Sequence, residues 1–429
     1  MFIKVGMLKR LFLKNWKSFR YAELPLYPLT VLIGTNASGK SNLVEAFEFL
    51  RRTVDGYEIE AALAGDKILP PIRGGISWAA LKPEVEFTLK ALVNGESKQV
   101  DYLYGITVET KRDAMILEEK ITCREYQRDK KTMIFERDFV TSYIDSKDER
   151  EKVLKISTHY KNARWTLPNN DKSVLTYFKN TYVLDNITEV NHVIGNLEKI
   201  YVFNPIPAKM RNYSHLSKCL DSDASNLAGV IAGLSARKQD EVEDTLSEYA
   251  RGLPAGNILK VWAERVGRYA SDAMLYCEEE WTNGQIQEVD ARSMSDGTLR
   301  FIAIMTALLT IPEKSQLIIE DVDNGLHPSR AELLSRMLHE IGRKREIDIL
   351  VTTHNPALLD AFGGDIVPSV VVVHRDTATG ESKLTPLKDI ENLPKLMVSG
   401  ALGQLTTEGA IEKSLAEEKI DSKKETKSK

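Results

Sequence analysis

The apolar pattern of the chain changes period several times, and each change predicts an element. After Pro25 and Pro28, Leu29–Ile33 fits a strand. A glycine-containing loop follows, and from about Ser41 to Arg52 the residues Leu43, Val44, Phe47 and Leu50 form one apolar stripe of a helix. Residues 84–125 alternate in EVEFTL, YLYGITVET and ILEEKITC, which predicts antiparallel strands. The charged run DSKDEREKVLK at 145–155 reads as a solvated connection. From about 170 to 265 the pattern is helical and more polar, clearest in NLAGVIAGLSARKQDEVEDTLSEYARGL, and no heptad is sustained there. Strands return near 272–290. A helix (296–309), a strand (317–320), a helix (329–345), a strand (348–353) and a strand (369–374) then follow. Such β/α alternation predicts a mostly parallel sheet with covering helices. Ser329 and Glu332, behind Pro328, have capping-box spacing. The last 18 residues, EKSLAEEKIDSKKETKSK, read as a disordered charged tail.

Composition narrows the function classes. A chain of 429 residues with 42% hydrophobic and 28% charged residues is an ordinary globular protein of two or three structural units. The net charge of −4 supplies no global attraction to nucleic acid or anionic membranes, so a DNA contact would need a local patch. Cys123, Cys219 and Cys277 are far apart and odd in number, which argues for a reducing compartment and against a zinc site. The start lacks a signal-peptide core, and no stretch approaches the ~18 apolar residues that span a bilayer. A cytoplasmic location without membrane contact is expected.

The strongest chemical signal is GTNASGKS, residues 34–41, which fits G-x-x-x-x-G-K-[ST] in full. Gly34 and Gly39 let the backbone curl so that successive N–H groups face phosphate oxygens. Lys40 brings charge to the β- and γ-phosphates, the Ser41 hydroxyl suits Mg²⁺, and the following helix presents its positive N-terminus. The cradle expected for ATP comprises Gly34, Thr35, Asn36, Ala37, Ser38, Gly39, Lys40, Ser41 and Asn42.

Two later segments add to this. In SMSDGTLRFIAIMTALL, from 293, Ser295 is placed as an N-cap, Asp296 lies in the first turn, and Phe301, Ile302, Met305, Leu308 and Leu309 share a face. In SQLIIEDVDNGLHP, residues 315–328, an apolar run ends in Glu320, Asp321 and Asp323. Carboxylates there are costly unless a cation receives them.

These segments carry a resemblance. SDGTLR looks like the signature motif of ABC-type ATPases (AAA_21-like) in the branch that holds RecF, the SMC-like repair proteins and the OLD-type ATPases. GTNASGKSN resembles its P-loop, LIIEDVDNGLHP its Walker B strand and D-loop, and VTTHNPALLDAF its switch-histidine segment. LKNWKSFRYAELPL, LDSDASNLAGVI and NLPKLMVSGALGQLTTEGAIE are similar to further segments of such proteins. The resemblance covers most of residues 8–412 and is weakest between about 55 and 200. It implies an α/β P-loop NTPase head of ABC type, with a mostly parallel core sheet, an N-terminal antiparallel β-subdomain and a helical insertion. The expected division is an N-terminal lobe (1–165), a helical insertion with return strands (166–290), a C-terminal lobe (291–410) and a tail (411–429).

The resemblance also implies roles. Two heads would face each other across ATP and Mg²⁺. Ser295, Asp296 and Gly297 would meet the nucleotide held by the partner's P-loop, His354 would sense the γ-phosphate and orient water, and Asn324 to His327 would cross the dimer seam. Lys40, Asp321 and His354 are the implied catalytic residues, with Ser41 and Glu320 at the metal. Glu320 at the metal and Asp321 as general base keeps the strand and D-loop in register. Asp321 at the metal with Asp323 positioning water is the alternative. The family's usual base is Glu, and Asp is shorter by about 1.5 Å. Misplacement by about 1 Å can cost around a hundredfold in rate, so either the backbone compensates or turnover is slow. Gln99, the only Gln between the P-loop and residue 126, lies in strand-like sequence and does not identify a Q-loop.

Without heptads, a long coiled coil between the lobes is not expected. No acidic E…DxD cluster follows His354, so a nuclease within this chain is not expected either. Stand-alone ATPases of this pattern resemble subunits of bacterial antiphage systems of the Septu or PARIS sort. The leading expectation is an ATPase that dimerises, or forms a larger assembly, around ATP and controls a separate nuclease or toxin. A RecF-like DNA repair ATPase and an ATP-clamped scaffold with little turnover are the alternatives.

Overall fold

The computed structural model describes residues 7–67, 69–97, 99–127, 132–144, 152–157, 162–167, 171–180, 187–253, 258–281, 284–325, 327–411 and 413–415. They fall into two compact units interleaved in sequence. The first contains residues 1–28, 34–200 and 371–385, and the second 29–33, 201–370 and 386–429.

An eight-stranded antiparallel sheet dominates the first unit. Its order is Phe19–Pro25, Leu8–Trp16, Glu86–Asn94, Val100–Glu109, Met115–Tyr126, Met133–Ile144, Lys152–Ser157, Asn162–Leu167. The alternation expected over 84–125 is therefore realised as antiparallel strands, because period-2 burial suits a sheet with one covered face. Leu11, Leu13, Leu89, Ala91, Tyr104 and Ile106 are buried. Trp16, Phe49 and Phe87 pack with ring centroids 4.8–5.8 Å apart, joining this sheet to the helix Lys40–Asp55. Trp16 Nε1 also donates to the Asn42 carbonyl at 2.7 Å, which ties the sheet to the helix's first turn.

A buried carboxylate secures the same unit. Glu119 receives the Tyr104 hydroxyl (2.8 Å), the Ser173 hydroxyl (2.6 Å) and the Val174 N–H (2.7 Å). It thus serves the N-terminus of the helix Val174–Asn180, where backbone donors lack helical partners. Glu119→Ala leaves these buried donors unsatisfied at about 1–3 kcal/mol each, so a loss of at least about 3 kcal/mol is expected in chemical denaturation. Glu119→Gln keeps one acceptor oxygen and is expected to lose less.

The second unit contains the strands Ile200–Phe203, Gln316–Ile319, Asp348–Thr352 and Leu29–Ile33, adjacent in that order. The last three run parallel, with Ile318 opposite Leu350 and Val351 opposite Val31. Every residue of these three is buried, as in a parallel sheet covered on both faces. The helices Asp296–Thr310 and Ala331–Lys344 accompany it. An antiparallel sheet of Ser214–His215, Ile258–Val266, Asp272–Glu280 and Ile286–Asp290 carries the helices Leu227–Gly233 and Ala236–Arg251. Among the described residues no helix exceeds 16 residues, so no long coiled coil is present there. No described helix is long and apolar enough to cross a membrane.

Five readings of the sequence need adjustment. Lys152–Ser157 is a strand with Val153 and Leu154 buried, which the flanking charges concealed; residues 145–151 lie outside the described ones. Strands return before 272: Ile200–Phe203 and Ser214–His215 interrupt the region expected to be helical, and Ile258–Val266 follows, its Trp262 and Ala263 sitting among polar neighbours that look helical. The expected capping box is not formed. Ser329 lies in a 3₁₀ turn, pairs with His327 Nδ1 at 2.8 Å, and leaves Ala331–Lys344 without a side-chain cap. Gln99 occupies the turn between two strands. Finally, Ile411 and Leu415 are buried, so the expected tail begins as packed structure; residues 416–429 lie outside the described ones.

Candidate functional site

In the first unit the loop Gly34–Gly39 is bent by three positive φ angles, at Gly34 (147°), Ala37 (62°) and Gly39 (118°). Two of these positions exclude a side chain. A Cβ on Gly34 would lie 2.1 Å from the Val373 carbonyl oxygen, and one on Gly39 would lie 2.6 Å from Ser382 Oγ. The loop is braced from far away in sequence. Ser382 Oγ donates to the Ser38 carbonyl (2.5 Å), Arg375 Nε to the Ala37 carbonyl (3.0 Å), and Asn42 Nδ2 to Ser18 Oγ (2.7 Å).

Lys40 opens the helix, one residue earlier than the sequence suggested, and is buried. Its ammonium folds back over the loop, donating to the carbonyls of Gly34 (2.6 Å) and Thr35 (3.0 Å). A second charged group stands one turn further on. Glu45 binds Lys17 at 2.5 Å and Arg73 at 2.9 Å, and Lys17 also donates to the Arg73 carbonyl at 2.7 Å. Burial lowers the Lys17 ammonium from its ordinary range, and the Glu45 carboxylate opposes that shift. Sequence reading missed Ser18, Lys17, Arg73, Arg375 and Ser382, since nothing local marks a residue as a brace for a distant loop.

The second unit holds the other motifs. Ser295 caps the helix Asp296–Thr310 as expected, its Oγ accepting from Thr298 N–H at 3.1 Å. Ser295 and Asp296 are exposed, while Gly297 is buried. A Cβ on Gly297 would meet the Gly325 carbonyl oxygen at 2.6 Å, so the start of this helix and the turn after the acids need glycine to approach this closely. Arg211 fastens the approach to this helix, donating to the carbonyls of Ala291 (3.0 Å), Arg292 (3.0 Å) and Met294 (2.7 Å) and pairing with Asp296.

The three acids differ in surroundings. Glu320 is 9% exposed, with its N–H on the Phe203 carbonyl at 3.1 Å. Asp321 is partly exposed and has φ of 45°, a left-handed backbone rarely used by residues with a Cβ. Thr352 Oγ1 accepts from its N–H (2.7 Å) and donates to its Oδ1 (3.3 Å). Asp323 is 6% exposed and its Oδ1 has no hydrogen-bond partner among the described residues. Arg300, on the helix Asp296–Thr310, donates to the carbonyls of Pro205 (2.8 Å), Glu320 (3.0 Å) and Asp321 (2.9 Å). Its guanidinium is lowered from the usual range by burial, against the pull of Asp321, Asp323 and Glu320.

His354 follows Thr353, is exposed, and makes no hydrogen bond among the described residues. The next residue, Asn355, caps Pro356–Phe362 by accepting from Ala357 N–H at 3.0 Å. Asn324 and Gly325 form the turn after the acids, His327 follows, and Leu326 lies outside the described residues. The fold thus gathers Gly297, Gly325, Arg300, Asp321 and Thr352 within one unit, whereas the phosphate loop belongs to the other.

The donor set suits magnesium. The Ser41 hydroxyl in the first unit and the Glu320 carboxylate in the second are each hard oxygen donors, the type Mg²⁺ takes beside substrate phosphates. Among the described residues no group of three or more His, Cys, Asp or Glu side chains could hold a metal unaided.

Strand, glycine-bent loop, buried lysine and helix, with an apolar strand ending in acids later in the chain, define the P-loop class of ATPase. The model of the AAA_21 family, described as "AAA domain, putative AbiEii toxin, Type IV TA system", matches residues 29–360, and the chain belongs to that family. No curated protein matches it. Among solved structures, it is similar to an SMC head bound to the C-winged helix domain of ScpA, at 15% identity over 89% of this chain and 98% of that one, with a TM-score of 0.48. It is also similar to the SMC head domain from Thermotoga maritima, at 14% identity over 89% and 98%, with a TM-score of 0.40. A third similar structure is an Smc head with an extended coiled coil bound to the C-terminal domain of ScpA derived from Pyrococcus furiosus (12% identity, 91% and 99% covered, TM-score 0.43).

Proposed function

We propose that this chain binds ATP with Mg²⁺ on Gly34–Asn42, dimerises around the nucleotide, hydrolyses it, and controls a separate nuclease or toxin in antiphage defence. The observation that carries the nucleotide reading is Lys40. Its ammonium is buried and folded over a loop whose glycines leave no room for side chains, the arrangement an anion needs when backbone N–H groups and one cation receive it.

Each residue then has a task. The loop N–H groups and Lys40 hold the β- and γ-phosphates. Ser41 and Glu320 hold Mg²⁺, which when bound neutralises charge on the phosphate oxygens. Asp321 accepts a proton from water as the water oxygen bonds to the γ-phosphorus and the bridging oxygen departs with ADP. The exposed Ser295 at a helix N-terminus suits a phosphate presented by a second copy, and the exposed His354 suits a γ-phosphate sensor. One observation supports a second assignment of the acids. The orphaned Oδ1 of Asp323 is a buried acceptor that a water would satisfy, which favours Asp323 as water-positioning residue and Asp321 at the metal.

A coupled ATPase assay tests the enzyme reading. The native chain is expected to release phosphate in an ATP- and Mg²⁺-dependent manner that Lys40→Ala removes; equal rates in both proteins would refute it. Phage plating on cells carrying the native locus tests the defence reading, with protection expected to vanish with the same substitution.

A further inference from the structure

Asp321 stands where this family usually has the longer glutamate, and its backbone lies in the left-handed region at φ 45°. A non-glycine residue stays there only where its surroundings over-determine it. At Asp321 they do. Its N–H goes to Thr352 Oγ1 (2.7 Å), and its carbonyl receives both Arg300 Nη2 (2.9 Å) and Asn324 N–H (2.9 Å). Its Oδ1 receives the Thr352 hydroxyl at 3.3 Å. One hydroxyl therefore holds the backbone and the carboxylate of the same residue.

Arg300 strengthens the case. It is 4% exposed, forms no ion pair among the described residues, and has an unpartnered Nε. Its partners are backbone carbonyls and, at 3.4 Å, Asn204 Oδ1. Burying a guanidinium costs solvation that the nearby carboxylates offset only in part, but its bonds to the Glu320 and Asp321 carbonyls fix the path of that backbone.

We infer that Thr352 and Arg300 are positioning residues for hydrolysis, pinning Asp321 in its left-handed conformation and so aiming its short carboxylate. The inference rests on the ATPase reading with Asp321 as base. It accounts for the missing methylene, because the sign of φ sets the direction in which Cα–Cβ leaves the chain. Backbone placement does here what side-chain length does in a glutamate.

The test uses the full chain with Thr352→Val, Thr352→Ser, Arg300→Lys and Asp321→Glu, reading kcat, KM and hydrogen exchange of the peptide spanning 316–325. Thr352→Val is expected to lower kcat about 10- to 100-fold with KM within about twofold, since misplacement near 1 Å costs on that order. Thr352→Ser, which keeps the hydroxyl, restores kcat to near the native value. Arg300→Lys lowers kcat because one ammonium cannot replace the planar fork. Asp321→Glu also lowers kcat, as the longer side chain overshoots. Exchange quickens in Thr352→Val and not in Thr352→Ser. Native kcat in Thr352→Val, a gain in Asp321→Glu, or unchanged exchange in Thr352→Val overturns the inference. Should the native chain show no turnover while exchange responds as stated, the ATPase reading falls and the pinning of Asp321 stands.

Discussion

Asp321→Asn binds ATP as the native chain does and hydrolyses it at least about a hundredfold more slowly, since a positioned general base contributes roughly 10²–10⁴. The substitution isolates chemistry from folding unusually well. Asparagine tolerates the left-handed backbone better than most residues, so φ of 45° is retained. The amide oxygen can still receive the Thr352 hydroxyl, and the backbone bonds to Thr352 and Arg300 do not involve the side chain. What is lost is the negative charge, and with it the capacity to take a proton and part of the electrostatic pull on Arg300. Phosphate release under saturating ATP, together with a nucleotide-binding titration, reads both halves. Asp323→Asn is the necessary companion. Retained turnover in Asp321→Asn with loss in Asp323→Asn would transfer the base role to Asp323, whose buried Oδ1 has no partner among the described residues.

Lys40→Ala loses ATP affinity by more than about a hundredfold. In the proposed site the ammonium would make a charge-assisted bond to each of the β- and γ-phosphates, and losing them costs about 1.5–3 kcal/mol each. The present partners of the ammonium, the Gly34 and Thr35 carbonyls, are left facing an incoming anion without it. Fluorescent-nucleotide titration at fixed Mg²⁺ measures the loss. The helix should persist, because alanine is the best helix former and Trp16 Nε1 still holds the Asn42 carbonyl. An affinity within a fewfold of native would mean that phosphate is bound elsewhere.

Some of this was legible in the sequence because the signals are local. The phosphate loop announces itself through glycine spacing, since two of its positions cannot carry a Cβ. Ser295 announces a helix start, since a hydroxyl beside unpaired N–H groups has one preferred use. The parallel strands were readable from apolar runs bounded by turns. What stayed hidden is non-local or conformational. Ser382 and Arg375 brace a loop more than 330 residues earlier, and no spacing rule reaches that far. The strand Lys152–Ser157, with Val153 and Leu154 buried, is masked by neighbouring charges. The pairing of His327 with Ser329 displaced a capping box that spacing alone allowed. Most telling is Asp321. A motif records a carboxylate and its length, but only coordinates reveal the sign of φ and the hydroxyl that holds both its ends.

Closure of two copies of this chain around ATP is read by light scattering on Asp321→Asn, where slowed hydrolysis leaves the site filled. The mass of one chain without nucleotide, rising to that of a dimer with Mg²⁺ and saturating ATP and falling back when ADP replaces ATP, is the predicted result. The mass of one chain at ATP concentrations that fill the P-loop would contradict it.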